Sequence, residues 1–464
     1  MKKFNYLAIL LASLIVSTNS YAFLDGFFSN DESKGKVADL VKTQQIDKDA
    51  DSFVDGKNNK LVPILRNLWM EGERNAVLNF NYLGLAAIEV GEYDIAKAAL
   101  DESILRIESI YANDKNAEKA KSLWNEEKVK DFKGEPYERS MTYYYRGLLY
   151  LKDGDYQNAR ASFLSAERHD TLSELEKFQG DFGLMNFMAA WSSYCDGDKS
   201  RASDLYSRAL TQDSKNFQSI GYEYPFIVLT ETGLGPEKIG TGQFQEVLEI
   251  VPSKEKDFFK NVNFPKINFP LVAGMPKLVG DITYQGTTRG GRPIQGILNG
   301  KASFKGNLDA AGDVAVSVGT ATMVASAYSG DGDTAAAGAV ITALGFLGKL
   351  ISSGVAPKAD TRAWSSLPDN IYLSQATAIP KSTNLEISYV TEDTIPKHFS
   401  SKLFSKSGKC GFAWTRIRSA LSADQNGTAK ISSTPEIQET NRIEKNQAFR
   451  SMLAERFSSV SQPK

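Results

Sequence analysis

A pattern of small and aromatic residues recurs in the first half of the chain, and it constrains the fold more than any other feature. The clearest copy lies at residues 140–173, where its members follow one another at fixed offsets: Tyr143, Gly147, Tyr150, Gly154, Tyr156, Ala159, Phe163 and Ala166. Gly147 and Ala159 would let two antiparallel helices approach closely, and Gly154 would form the turn between them. The pattern therefore predicts a stack of helical hairpins.

Two further copies flank this one. The earlier copy consists of Phe80, Leu83, Gly84, Gly91, Tyr93, Ala96 and Leu100. The later copy consists of Ala190, Gly197, Ala202, Tyr206 and Ala209, with Ser193 and Lys199 where the pattern has tyrosines. These offsets resemble the tetratricopeptide repeat, for which three units are about the minimum for a stable stack.

In the repeat that the chain resembles, the first helix of each unit lines a concave groove. Carried onto this sequence, the groove residues are Asn81, Tyr144, Leu148, Phe187, Trp191 and Tyr194. This surface is apolar and aromatic, which suits a buried partner surface better than the carboxylate of a peptide terminus. Two occupants remain open, an external apolar peptide or a segment from beyond residue 222, with the amphipathic helix around Phe449 and Phe457 as one candidate.

The N-terminus reads as a secretory signal peptide. Lys2 and Lys3 precede the apolar run LAILLASLIVS, and small residues occupy the −3 and −1 positions of a cut after Ala22. No cysteine lies near that cut, so the route to a lipid anchor is closed. We expect a soluble, periplasmic protein of a Gram-negative bacterium, with association to the outer membrane left open.

The sequence predicts an α+β fold, in which tetratricopeptide-like helices precede a small antiparallel β domain. The expected divisions are 1–22 signal peptide, 23–60 N-terminal arm, 61–221 helical domain, 222–420 β-rich domain and 421–464 tail with an amphipathic helix. Short runs rich in β-branched and aromatic residues support the strands, and residues 371–390 read as a hairpin.

The β-rich half contains an Ala/Gly/Val-rich stretch at residues 308–355. Its two apolar halves, joined by SGDGD, predict a helical hairpin with a face of small residues. Each uninterrupted apolar stretch is about 15 residues, below the roughly 17–25 that span a bilayer. A buried or partner-covered hairpin is therefore favoured over membrane insertion.

Residues suited to catalysis or metal binding are sparse. The two histidines, His169 and His398, have no second histidine or suitably spaced cysteine nearby, and the glycines at 232–242 do not form a phosphate-binding loop. Cys195 and Cys410 either form one disulfide or stay as separate buried thiols. A net charge of −2 argues against a dedicated nucleic-acid surface. We predict no catalytic residue, metal or cofactor.

Taken together, the chain resembles a family of exported, tetratricopeptide-containing proteins of Gram-negative bacteria. The resemblance rests on residues 134–163, 230–242, 290–306 and 359–373. It implies an envelope location and a role in assembly or surface maintenance rather than a reaction. The sequence thus predicts a non-catalytic periplasmic scaffold that binds a protein partner in envelope biogenesis; the alternative is an envelope component that engages the membrane or oligomerises through residues 308–355.

Overall fold

The computed structural model describes most of the chain outside its two termini and one long internal stretch. The described residues are 45–112, 131–170, 181–245, 247–253, 263–267, 270–288, 359–381, 385–390, 396–400, 403–417 and 443–458. They form helices and strands within one structure, so the α+β class is confirmed. The signal peptide and residues 308–355 lie outside the described residues.

Most of the described helices precede the strands, and six of them are arranged in pairs. After a helical stretch at residues 45–54, they are α1 Val62–Glu71, α2 Ala76–Val90, α3 Tyr93–Ala112, α4 Pro136–Asp153, α5 Tyr156–Asp170, α6 Gly183–Asp196, α7 Lys199–Gln212 and α8 Ser214–Phe217. The turns within the pairs α2–α3, α4–α5 and α6–α7 contain Gly91, Gly154 and Gly197. Each of these glycines has a positive φ, between 75° and 95°, which favours glycine over residues with a Cβ. The pairs fit tetratricopeptide-like units, although that assignment remains a prediction.

Two glycines inside first helices are required by close packing. A Cβ added to Gly147 would lie 2.6 Å from the ring of Phe163, and one added to Gly84 would lie 2.7 Å from Leu100. Real Cβ atoms essentially never approach so closely. In the pairs α2–α3 and α4–α5, the second helix therefore packs directly on the backbone of the first.

The strands of the described residues form three sheets. They are β1 Phe226–Thr232, β2 Glu237–Thr241, β3 Val247–Val251, β4 Asn263–Ile267, β5 Lys277–Asp281, β6 Asn370–Ala376, β7 Glu386–Val390, β8 Pro396–Ser400, β9 Leu403–Ser407 and β10 Cys410–Ile417. The largest sheet has the order β5-β6-β1-β10-β9, and β2–β3 and β4-β7-β8 form the others. Between β5 and β6 lies the short helix α9, Ile282–Thr287.

The sheet pairing corrects two expectations. The main sheet is mixed rather than antiparallel, because its central strand β1 pairs parallel with β10 and antiparallel with β6. The hairpin expected at residues 371–390 is wrong, since β6 and β7 lie in different sheets. The turn around Pro380 thus carries the chain from one sheet to another.

The last helix, α10 Ile443–Ser458, docks on the first helical pair. Its buried Phe449 and Phe457 lie beside Phe80 of α2, with ring centroids 5.9 and 6.2 Å apart. The guanidinium of Arg106 lies over the rings of both Phe80 and Phe449. Among the described helices, none is both long and apolar enough to cross a membrane.

Replacement of Gly147 by leucine tests the helical packing. Because Phe163 already fills the space next to Gly147, the larger side chain should lower the free energy of unfolding by about 1–3 kcal/mol. Urea unfolding measures the change. As a control, Ala161→Leu on the exposed side of α5 should cost little, and equal stability of the two variants would contradict the close approach.

Candidate functional site

The six residues expected in the groove lie on the first helices of the three pairs. Asn81 lies on α2, Tyr144 and Leu148 on α4, and Phe187, Trp191 and Tyr194 on α6. All except Tyr194, which is half-buried, have exposures of at most 1 %. The surface is therefore covered.

At one end of the groove, the chain beyond residue 221 covers the aromatic residues. The indole Nε1 of Trp191 donates to the carbonyl of Tyr224 at 2.9 Å. The ring of Tyr194 lies 6.2 Å from that of Tyr222 and 4.1 Å from the ammonium of Lys409. Residues leading into β1 and out of β9 thus occupy this end.

In the middle of the groove, side chains of the main sheet form a buried ionic cluster with residues of α2 and α4. The hydroxyl of Tyr145, next to Tyr144, donates to Glu231 of β1 at 2.8 Å. Arg416 of β10 lies 3.6 Å from Glu231 and 3.5 Å from Glu89 of α2. Burial raises the pKa of Glu231, and the positive charge of Arg416 opposes that rise. One guanidinium therefore bridges carboxylates from the helices and from the sheet.

Asn81 and Phe187 contact neighbours within the helical half. The side-chain oxygen of Asn81 accepts hydrogen bonds from Ser103 at 2.6 Å and Thr142 at 3.1 Å. The ring of Phe187 lies 5.5 Å from that of Phe217 in α8. The side chain of Asn81 is thus buried between helices, with its oxygen engaged there.

Residues 359–369, which precede β6, pack against the first helices beside the groove, and the sequence did not reveal this contact. Trp364 is buried, with its ring 5.7 Å from that of Tyr145. The hydroxyl of Tyr82 donates to the carbonyl of Ala363 at 2.9 Å, and Arg362 donates to the side chain of Asn75. The sequence offered one indication, a lone tryptophan among small and polar residues. Because the surrounding stretch has no helical or strand periodicity, it does not predict which residues the tryptophan contacts.

This segment meets the helices and β2 at the carboxylate of Glu138. One oxygen of Glu138 accepts from the backbone N–H of Trp364 at 2.7 Å. The other accepts from the ammonium of Lys238 and from the backbone N–H of Glu135, both at 2.7 Å. Glu138 and Lys238 are buried, so the ion pair is screened little by solvent.

A disulfide joins the groove to the main sheet. Cys195 ends the groove face of α6, and Cys410 begins β10; their Cα atoms are 5.6 Å apart. That separation lies within the range of ordinary disulfides. The bridge closes a sequence separation of 215 residues and fixes the sheet against the last helical pair.

His169 lies in a polar cluster outside the groove, at the end of α5. Its ring stacks on Tyr143 with centroids 5.0 Å apart, and its Nδ1 accepts from Arg139 Nε at 3.3 Å. Its Nε2 lies 3.3 Å from Glu108. Burial, assisted by Arg139, lowers the pKa of His169 to about 4, so the ring is neutral at pH 7. His398 lies in β8, and its side chain is outside those that the structure describes.

Metal-ligating side chains do not converge within the described part of the chain: it contains no group of three His, Cys, Asp or Glu residues placed to hold an ion. Comparisons with protein-family models, with curated proteins and with solved structures gave no significant match. The family resemblance stated from the sequence motifs therefore remains a prediction.

The low pKa of His169 predicts a pH-dependent stability. In the unfolded chain this histidine takes up a proton near pH 6.5, but in the folded protein only near pH 4. Between these values the unfolded chain binds more protons, so the free energy of unfolding should fall as pH is lowered, by up to about 1.4 kcal/mol per unit. The lowered pKa of Glu108 affects the free energy of unfolding only below about pH 4.5.

Urea unfolding of the wild type and His169→Gln between pH 6.5 and 4.5 measures this effect. The substitution should reduce the slope of the unfolding free energy against pH by an amount that corresponds to about one bound proton. Identical slopes in the two proteins would show that His169 is not held neutral by its surroundings.

Proposed function

We propose that the chain is an exported, non-catalytic protein of the bacterial envelope, in which a rigid helical scaffold holds a protein partner during envelope biogenesis. The observation that carries this proposal is the Cys195–Cys410 disulfide, which links the helices to the main sheet. Disulfides persist in oxidising compartments such as the periplasm and are rare in the cytosol. The signal-peptide pattern at residues 1–22 supports the same location.

The filled groove bears on how a partner would bind. Tetratricopeptide-like units can bind ligands only on a concave face that is open to solvent. Here the chain's own residues cover Tyr144, Phe187 and Trp191 on that face. We therefore assign the partner to an outer surface, and we assign the groove to holding the main sheet. The alternative, membrane contact or oligomerisation through residues 308–355, concerns residues outside the described ones.

Export and the disulfide can be tested together in a Gram-negative host. The full chain should be released by osmotic shock. Because both cysteines are buried, every sample is denatured before labelling, and the denatured full chain should resist a maleimide-polyethylene glycol reagent until it is reduced. The same chain without residues 2–22 should stay in the cytoplasm and react at both thiols. Cys410→Ser is the control, because it leaves one reactive thiol in either compartment.

A full-length chain that remains cytoplasmic, with both thiols reactive, would contradict the proposal. Crosslinking in intact cells tests the partner: we expect a discrete adduct with an envelope protein. An adduct only with lipid, or only with a second copy of the chain, would favour the alternative.

A further inference from the structure

The two-stranded sheet β2–β3 presents different residues on its two faces. Its inner face carries Lys238 and Leu248, both buried, and Ile250, which lies against Gly286 of α9. The register places Lys238 opposite Ile250 and Ile239 opposite Glu249. Because successive side chains in a strand point to opposite faces, Ile239 and Glu249 belong to the outer face.

The outer face of this sheet combines apolar side chains with carboxylates. By alternation and register, its members are Glu237, Ile239, Thr241, Val247, Glu249 and Val251. Thr241 donates a hydrogen bond to Glu249 at 2.8 Å, as expected for residues on one face. Ile239 is 38 % exposed, one of three exposed large apolar side chains in the described part of the chain.

A two-stranded sheet is marginally stable unless its apolar faces are covered. The inner face rests on the helices and α9, but Ile239, Val247 and Val251 remain partly exposed. Glu237 and Glu249 are exposed too, and neither forms an ion pair with a Lys or Arg among the described residues. The face therefore suits a ligand that is both apolar and positively charged.

The described chain stops next to this sheet at residue 288 and resumes next to it at residue 359. It leaves after Thr288, at the end of α9, which contacts β3. It returns at Ala359, whose N–H donates to the carbonyl of Gln245 between β2 and β3 at 2.9 Å, and whose side chain lies against Leu248. The described residues on either side of 289–358 thus both lie next to this small sheet. Two strands are about 10 Å wide, so three or four extended residues can pass around them.

The first part of residues 289–358 has the complementary composition. Residues 289–305 contain four cations and no carboxylate: Arg289, Arg292, Lys301 and Lys305. Between them lie four large apolar residues: Ile294, Ile297, Leu298 and Phe304. A tethered segment also competes favourably with a separate partner, because its effective concentration near the sheet is high, on the order of millimolar for short linkers.

We propose that residues 289–305 bind the outer face of β2–β3. Their apolar side chains cover Ile239, Val247 and Val251, and their cations pair with Glu237 and Glu249. The inserted stretch is then anchored at both of its ends and on this face. This inference concerns contacts within the chain and does not depend on export or on a partner.

Photo-crosslinking of the purified, full-length, oxidised protein tests the proposal. Benzoylphenylalanine in place of Ile239 should form intramolecular crosslinks to peptides within residues 289–305. The same probe at Leu105, which is 63 % exposed on α3, should form none there. Crosslinks from position 239 to a second copy, crosslinks only to another segment, or no crosslink at all would overturn the proposal.

Charge reversal separates specific docking from chance proximity. In the position-239 probe protein, Glu237→Lys combined with Glu249→Lys should lower the crosslink yield at least fivefold. Adding Arg292→Glu and Lys301→Glu should restore it. Glu223→Lys, an exposed reversal outside this sheet, should leave the yield unchanged. An unchanged yield in the double reversal would overturn the charge-matched docking.

Discussion

The buried carboxylate of Glu138 joins three parts of the chain that lie far apart in sequence. It accepts hydrogen bonds from the backbone N–H of Glu135, which caps α4, from Lys238 of β2 and from the backbone of Trp364, each at 2.7 Å. A charged group this deeply buried is tolerated only when it is paired and hydrogen-bonded. The helices, the small sheet and residues 359–369 must therefore be assembled together for any one of them to be stable in this arrangement.

The rest of the groove depends on the same arrangement. Once residues 359–369 are in place, Trp364 packs on Tyr145, and Tyr145 bonds Glu231 in the central strand. Arg416 then connects that strand to Glu89, and the disulfide fixes the far end. The helical and strand residues share one continuous apolar core. The helical face that the sequence predicted as a ligand groove here packs against the chain's own sheet.

Local features of the fold could be predicted from sequence, because their causes are local. Gly91, Gly154 and Gly197 occupy turns with positive φ, and Gly147 meets Phe163 where the offsets place two helices in contact. The same offsets predicted that Tyr144 and Trp191 lie on the inner helical face, where both are buried. Turn conformation and helical periodicity depend on only a few neighbouring residues, so a short stretch of sequence is enough to predict them.

The remaining features depend on pairings between distant residues. The parallel pairing of β1 with β10 joins residues 226–232 to 411–417, and no local pattern records it. The apparent hairpin at 371–390 was wrong because a turn signal shows where the chain bends, not which strand it joins next. The Cys195–Cys410 pairing stayed open for the same reason, and the two oxygens of Glu138 reveal their partners only in three dimensions.

Native-state hydrogen exchange in wild type and Glu138→Gln tests the central claim, that helices and sheet form one unit tied through this carboxylate. The account predicts equal opening free energies for the amides of α4 and β1 in the wild type. In Glu138→Gln both should fall together, by about 1–3 kcal/mol, because Lys238 loses its nearer carboxylate and keeps only that of Glu135, at 3.6 Å. Opening of β1 at low free energy while α4 stays protected, or no change in either element, would contradict it.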